Sequence, residues 1–185
     1  MSELDVQAAS FRTSRLPAVA VDDAIDPSIV RQTREAAAHV TFEGFDLAHR
    51  GRYAFSTEPI PPAALEALVD VASRCSGEVL SVTAHRYVRL RCGDYVLARD
   101  DESFCAAVAP HAIDLSLDLS VDLTCEAEVV FTHRSQAFFT VPQRPGVVGI
   151  VRRMPTVGRY ERYLTHRVGA LEVVRLRLVL SSDRG

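Results

Sequence analysis

The chain has 185 residues and a formal net charge of −3, with 24% charged and 48% hydrophobic residues. A chain of this length can bury well over half of its unfolded surface, which suits one globular domain. The small negative charge argues against a general nucleic-acid or membrane-surface binder, since either needs a concentrated basic patch. No run approaches the ~20 apolar residues that span a bilayer, and the first residues lack the features of a signal peptide. We therefore expect no nucleic-acid partner, no membrane and a cytoplasmic location.

The basic residues and the cysteines exclude further classes. All 21 basic residues are arginine, so Schiff-base lysine enzymes and Walker-A nucleotide hydrolases are excluded. The cysteines lack C-x-x-C spacing, which predicts reduced, mostly buried thiols rather than a zinc ribbon or a redox pair. They are Cys75, Cys92, Cys105 and Cys125.

In chain order, residues 1–20 are mixed and turn-rich, which predicts a flexible N-terminal arm before a single domain at 21–185. A helix is predicted at 26–40, with Asp26 as its cap and Pro27 at its first position. A second helix is predicted at 61–74, and Gly77 is placed to end it.

The rest of the chain favours strands. After Gly77 a short helix is predicted only near 102–108, and 142–146 is predicted to be a turn. Two short runs before the second helix, at 40–45 and 52–56, are rich in β-branched and aromatic residues. The later predicted strands are 79–82, 86–90, 95–97, 114–123, 127–132, 137–141, 147–151, 163–168 and 173–180.

Residues 114–123 alternate strictly between leucine or valine and polar residues. The leucine face is expected to pack against the opposite sheet. The aspartates of the other face (Asp114, Asp118 and Asp122) are expected to meet solvent or pair with arginine. Cation binding is the weaker alternative, because residues four apart on a strand lie roughly 13 Å from each other.

Front helices followed by about eight strands predict an α+β fold with an antiparallel sandwich or barrel and helices on one side. A parallel α/β fold is disfavoured, since its crossover helices have no place in the chain. We predict a double-stranded β-helix (jelly roll) with supporting N-terminal helices, because a closed double sheet avoids exposed edges. The alternative is another α+β sandwich of unrelated topology.

Three segments carry a family resemblance: Arg91-Cys-Gly-Asp-Tyr-Val-Leu-Ala-Arg-Asp-Asp-Glu102, residues 163–168 and residues 173–178. Together they resemble the Fe(II)/2-oxoglutarate-dependent oxygenase superfamily, particularly its small prolyl-hydroxylase-like members. The resemblance implies that Asp101 and His166 bind Fe(II), and that Arg175 or Arg177 binds the distal carboxylate of 2-oxoglutarate. It also implies a small-molecule or peptide substrate.

The chain departs from that pattern at Arg99, which stands where the family has its first metal-binding histidine. A guanidinium stays protonated and has no lone pair for a metal, so this substitution removes one of three ligands. By residue type His85, His111 and His133 are available to replace it.

Each candidate also has a simpler interpretation. Asp101 suits an acidic helix start, His166 suits a hydrogen-bonded strand residue, and Arg175 and Arg177 suit the wet face of an exposed strand. In a jelly roll the same arginine face could instead point inward and bind a carboxylate. Two functions follow. The first is an Fe(II)/2-oxoglutarate oxygenase; the alternative is an inactive jelly-roll domain that has lost its iron site and binds a ligand or protein.

Overall fold

The computed structural model describes residues 3–100, 111–121, 127–168 and 171–182. Its helices are α1 Glu3–Thr13, α2 Pro27–Ala38 and α3 Pro62–Ser76. Its first strands are β1 Ala18–Val21, β2 Glu43–Leu47, β3 Gly51–Ser56, β4 Leu80–Leu90 and β5 Tyr95–Val96. The later strands are β6 Ile113–Asp118, β7 Val129–His133, β8 Gln136–Val141, β9 Val148–Arg152, β10 Val157–Glu161 and β11 Val173–Ser182. The helix predicted near 102–108 falls outside the described residues. No helix in the described ranges has both the length and the apolarity to cross a membrane.

The N-terminal segment forms part of the core, where the sequence had predicted a flexible arm. Leu4, Ala8 and Phe11 recur at helical spacing along α1 and are all buried. Strand β1 then pairs antiparallel with β9 along its whole length. The prediction missed this helical spacing because it lies within a segment of mixed composition. The structure therefore has a third helix in addition to the two expected.

The two predicted helices are confirmed, and both have the expected ends. The Asp26 carboxylate accepts a hydrogen bond from the Ser28 backbone N–H at 2.7 Å, which caps α2. Helix α3 ends at Gly77, whose φ of 75° is left-handed and whose N–H donates to the Ser73 carbonyl. Glycine adopts this conformation without the steric penalty of a Cβ atom.

The strands form a jelly roll, as predicted. The order β1-β9-β6-β11-β4-β3-β5-β10-β7-β8 contains two four-stranded groups, β9-β6-β11-β4 and β5-β10-β7-β8. Strand β3 joins them, pairing with β4 at one end and with β5 at the other. The end strands β1 and β8 lie in contact, so the sheet curves into a nearly closed barrel. All described pairings are antiparallel.

The leucine face of β6 packs on the helices, which corrects the expectation that it would face the opposite sheet. Leu115, Leu117 and Leu119 belong to one buried cluster with residues of all three helices. Leu176 and Leu178 of β11 extend the same face. The helices therefore cover the outer face of this sheet, and the polar face of β6 and β11 is turned toward the barrel interior.

Strand β10 was missed, and the strand predicted at 163–168 is wrong. Residues 162–165 form a loop, and His166–Val168 forms a 3₁₀ turn. In β10 the inward positions after Val157 are Arg159 and Glu161, both buried. Charged residues at buried positions give no hydrophobic alternation, so the pattern that marks most strands is absent here.

Candidate functional site

The polar face of β11 projects between the two sheets. Arg175 is 2% exposed and Arg177 is fully buried. Arg175 lies on β11, in the first sheet, yet it hydrogen-bonds Glu161 on β10, in the second. The two arginines therefore lie inside the barrel, where a ligand would be enclosed, rather than on a wet outer face.

Arg177 is paired with an aspartate of β6. Its Nε donates to Asp114 Oδ1 at 3.2 Å and its Nη2 donates to Oδ2, which is a bidentate arrangement. Arg153 approaches the same carboxylate, with its Nη1 3.5 Å from Oδ2. Asp118 lies 3.8 Å from Arg175 Nε. The aspartate face of β6 thus pairs with arginine, the second of the expected alternatives; Asp122 lies outside the described residues.

Arg175 is held by two acceptors of the chain itself. Its Nη1 donates to Glu161 Oε2 at 2.5 Å, and its Nη2 donates to the Ala127 carbonyl. Glu161 also accepts from Arg159 Nη2 at 2.7 Å. Burial alone would raise the pKa of Glu161, but the guanidiniums of Arg159 and Arg175 outweigh burial and lower the pKa to about 2. Glu161 is therefore ionised at neutral pH.

A second cluster of charged side chains surrounds Asp100, which follows β5 and precedes the predicted metal ligand Asp101. Asp100 is fully buried and accepts from Arg86 Nη2 at 3.0 Å and from Arg50 Nη2 at 2.9 Å. Arg86 also donates to the Tyr53 hydroxyl at 3.2 Å. Burial raises the pKa of Tyr53 to about 12, although Arg86 opposes the rise. The neighbouring Arg99 is exposed.

The structure describes only one of the two predicted metal ligands, His166. Asp101 lies outside the described residues. His166 is exposed on its 3₁₀ turn, with its ring centroid 6.2 Å from that of Tyr163, while Arg175 and Arg177 are buried. His85, His111 and His133 are not in the buried interior either. The His85 ring nitrogen Nε2 instead lies 3.1 Å from the Glu58 carbonyl.

The interior is largely neutralised by its own charges. Four buried arginines face four buried carboxylates there: Arg86, Arg159, Arg175 and Arg177, with Asp100, Asp114, Asp118 and Glu161. Charge-assisted pairs of this kind are strong when water is excluded. Sequence analysis missed Arg86, Asp100, Arg159 and Glu161. The one sequence feature that could have indicated these residues is the pair of opposite charges at positions 159 and 161, which would share one face of a strand.

The family resemblance implies that the site holds Fe(II) and 2-oxoglutarate. In the described part of the chain no group of three histidine, cysteine, aspartate or glutamate residues is placed to hold a metal ion. The interior carboxylates are bound to guanidiniums, which repel a cation. The described residues therefore contain no complete iron site, and the predicted ligand Asp101 lies outside them. Arg175 has the right chemistry for a carboxylate, but a ligand would have to displace Glu161.

Comparison with known proteins bears on the fold. No family model and no curated protein matches the chain. A 2OG-Fe(II) oxygenase family oxidoreductase from Burkholderia pseudomallei superposes with a TM-score of 0.71 and 11% identity, covering 100% of this chain and 93% of that one. A Pseudomonas putida prolyl-4-hydroxylase superposes with a TM-score of 0.67 and 11% identity, covering 98% of this chain and 100% of that one.

A third similar structure is a Trichoplax adhaerens prolyl hydroxylase in complex with a hypoxia-inducible-factor peptide. It gives a TM-score of 0.62 and 10% identity, covering 98% of this chain and 88% of that one. Identities this low establish the architecture and leave chemistry to the site. The chain has the double-stranded β-helix fold of the 2-oxoglutarate/Fe(II) oxygenases, as the resemblance of its motifs implied.

Proposed function

We propose that this chain is a 2-oxoglutarate-dependent oxygenase that acts on a small molecule or a peptide. The observation that carries the proposal is the polar barrel interior, in which Arg175 and Arg177 of the last strand meet carboxylates. Similarity to oxygenase structures over nearly the whole chain supports the class. A prolyl hydroxylase with a bound peptide among them supports the range of substrates.

The roles follow from the chemistry of each residue. Arg175, or Arg177 in its place, binds the distal carboxylate of 2-oxoglutarate as a planar fork, and Glu161 is released from Arg175 when it does so. Asp101 and His166 are the proposed metal ligands, carried over from the family motif. These two side chains fill only two of roughly six coordination positions, so the metal affinity is expected to be weak.

A binding module without catalysis is the second candidate, and two arguments favour it. By the family resemblance Arg99 stands at the position of the first histidine, and a guanidinium has no lone pair for a metal. The carboxylates that hold Arg175 and Arg177 belong to the chain, so the interior is stable without a ligand. In this candidate the barrel binds a carboxylate ligand or a protein without turnover.

Calorimetry and a turnover assay separate the two candidates. Wild type is titrated with 2-oxoglutarate with and without Fe(II), and succinate formation is then measured. Binding with iron-dependent succinate formation supports the oxygenase, and binding without succinate supports the module. Absence of 2-oxoglutarate binding in both conditions overturns the first proposal.

Substitutions assign the residues. Arg175→Lys keeps the buried charge but loses the fork, so we expect at least a tenfold loss of 2-oxoglutarate affinity with the fold retained. Arg175→Ala would remove one of the cations that neutralise the buried Glu161 and would destabilise the fold. It is therefore a poorer test of ligand binding than Arg175→Lys. Arg99→His should raise Mn(II) affinity markedly by adding an imidazole, and His166→Ala should abolish that gain. Tight iron in wild type that is lost in His166→Ala would show that another residue completes the site.

A further inference from the structure

A cavity of about 270 Å³ lies on the outer face of the sheet, beneath α2. We call it the α2 pocket; its walls include Arg34, Phe42, Arg89, Leu119, Ser120 and Glu172. Arg89 is on β4, where its neighbour Val88 pairs directly with the inward-facing Arg175. Because side chains alternate along a strand, Arg89 points to the outer face. The α2 pocket is therefore separated from Arg175 and Arg177 by the thickness of the sheet.

Arg89 is a cation with unused donors. Its guanidinium carbon lies 4.3 Å from the centroid of the Phe42 ring, which fixes the group over an aromatic face. Its Nε is buried without a hydrogen-bond acceptor, and Arg89 makes no ion pair with the residues described. A buried donor without an acceptor is unfavourable, so an anion bound here would relieve it.

Two further donors border the same space. Arg34 donates its Nε to the Leu119 carbonyl at 2.9 Å, and its terminal nitrogens make no hydrogen bond to a described residue. The Ser120 side chain is buried and accepts from the Val174 N–H at 3.3 Å, which leaves its hydroxyl proton for an acceptor. The donors therefore come from α2, β4 and the segment after β6.

The charge of the α2 pocket is positive. Glu172 is its acidic wall residue, but Arg91 Nε lies 2.5 Å from its Oε1 and neutralises it. The remaining surface is apolar, from Phe42, Leu119 and Val174. At about 30 Å³ for each water molecule, a cavity of this size has room for roughly nine water-sized groups. Such a space suits a small carboxylate with a compact apolar body.

We propose that the α2 pocket is a second ligand site, which binds a small monocarboxylate between the Arg34 and Arg89 guanidiniums with its apolar body against Phe42. The site is independent of the chemistry proposed for the barrel. Benzoate is the probe, because it has a carboxylate on a compact aromatic ring, and benzamide is its neutral isostere.

The test is a titration of the 185-residue chain with benzoate, monitored by ligand-observed NMR and by calorimetry. Benzoate should bind with a Kd on the order of 1 mM or lower, as expected for so small a ligand, and benzamide at least ten times more weakly. Arg89→Gln and Arg34→Gln should each weaken benzoate binding about tenfold, since each removes one charge-assisted contact. Arg74→Gln, on the exposed side of α3, is the matched control and should leave binding unchanged.

Three results would overturn the proposal. The first is no benzoate binding at all, and the second is equal binding of benzoate and benzamide, which would indicate a merely apolar cavity. The third is benzoate binding that survives both Arg89→Gln and Arg34→Gln. If 2-oxoglutarate competes with that binding, benzoate lies in the barrel and the proposed function is untouched.

Discussion

Glu161 is the carboxylate on which the barrel interior most depends. It lies between Arg159 and Arg175 and is 1% exposed. Glu161→Gln keeps the size and shape of the side chain but removes its charge, which leaves two buried guanidiniums without their shared counter-ion. Removing one partner of a buried ion pair costs about 3 to 5 kcal/mol. We expect the variant to lose free energy of unfolding in that range at pH 7.

The lowered pKa of Glu161 indicates a stabilisation of similar size from the same contacts. The folded state lowers this pKa from 4.5 to about 2, which corresponds to roughly 3 kcal/mol at about 1.4 kcal/mol per pH unit. Because the folded pKa lies below the unfolded one, this stabilisation is fully present above pH 4.5 and is lost as the pH falls toward 2. The difference between wild type and Glu161→Gln should therefore be constant near neutral pH and shrink below pH 4.5.

Urea unfolding followed by far-UV circular dichroism measures this difference, since the chain has no tryptophan. The matched control is Glu128→Gln, which removes a carboxylate paired with Arg162 at 2.7 Å at the surface. An exposed pair contributes at most about 1 kcal/mol, so the control should change stability little. If Glu161→Gln costs no more than Glu128→Gln, or if its cost does not shrink in acid, the interior network does not stabilise the fold as argued.

Three other predictions concern the core and its titratable groups. Gly149→Ala would place a Cβ atom 2.5 Å from a methyl carbon of Val141, so urea unfolding should show a loss of about 1 to 3 kcal/mol; unchanged stability would contradict the close approach. Burial raises the pKa of Tyr53 and of Tyr87 to about 12. The neutral phenols therefore stabilise the fold below pH 10 and cease to do so as the pH rises through 12, and Tyr53→Phe should remove part of the phenolate absorbance that develops near pH 12. Burial also raises the pKa of the Cys75 thiol to about 11, so Cys75 should react with a thiol reagent at pH 8 only after unfolding, with Cys75→Ser as the control.

Structural features that depend on neighbouring residues, such as helix ends and strand alternation, were predicted correctly from the sequence. The Asp26 cap, the terminal Gly77 and the alternation in β6 depend on residues close together in the chain. The structure contains the cap and the glycine end, and it places the β6 leucines against the helices and Asp114 against Arg177. The count and order of the elements after Gly77 then favoured a jelly roll, because antiparallel strands without intervening helices have few ways to avoid exposed edges.

The partners inside the barrel were decided by tertiary structure alone. Asp114 meets Arg177 from 63 positions away, and Glu161 meets Arg175 from 14 positions away. These pairs depend on strand register and on which face of each strand the helices cover. The residue types predicted that Arg175 and Arg177 would bind carboxylates. Only the packing of the two sheets determined that these carboxylates are side chains of the protein itself.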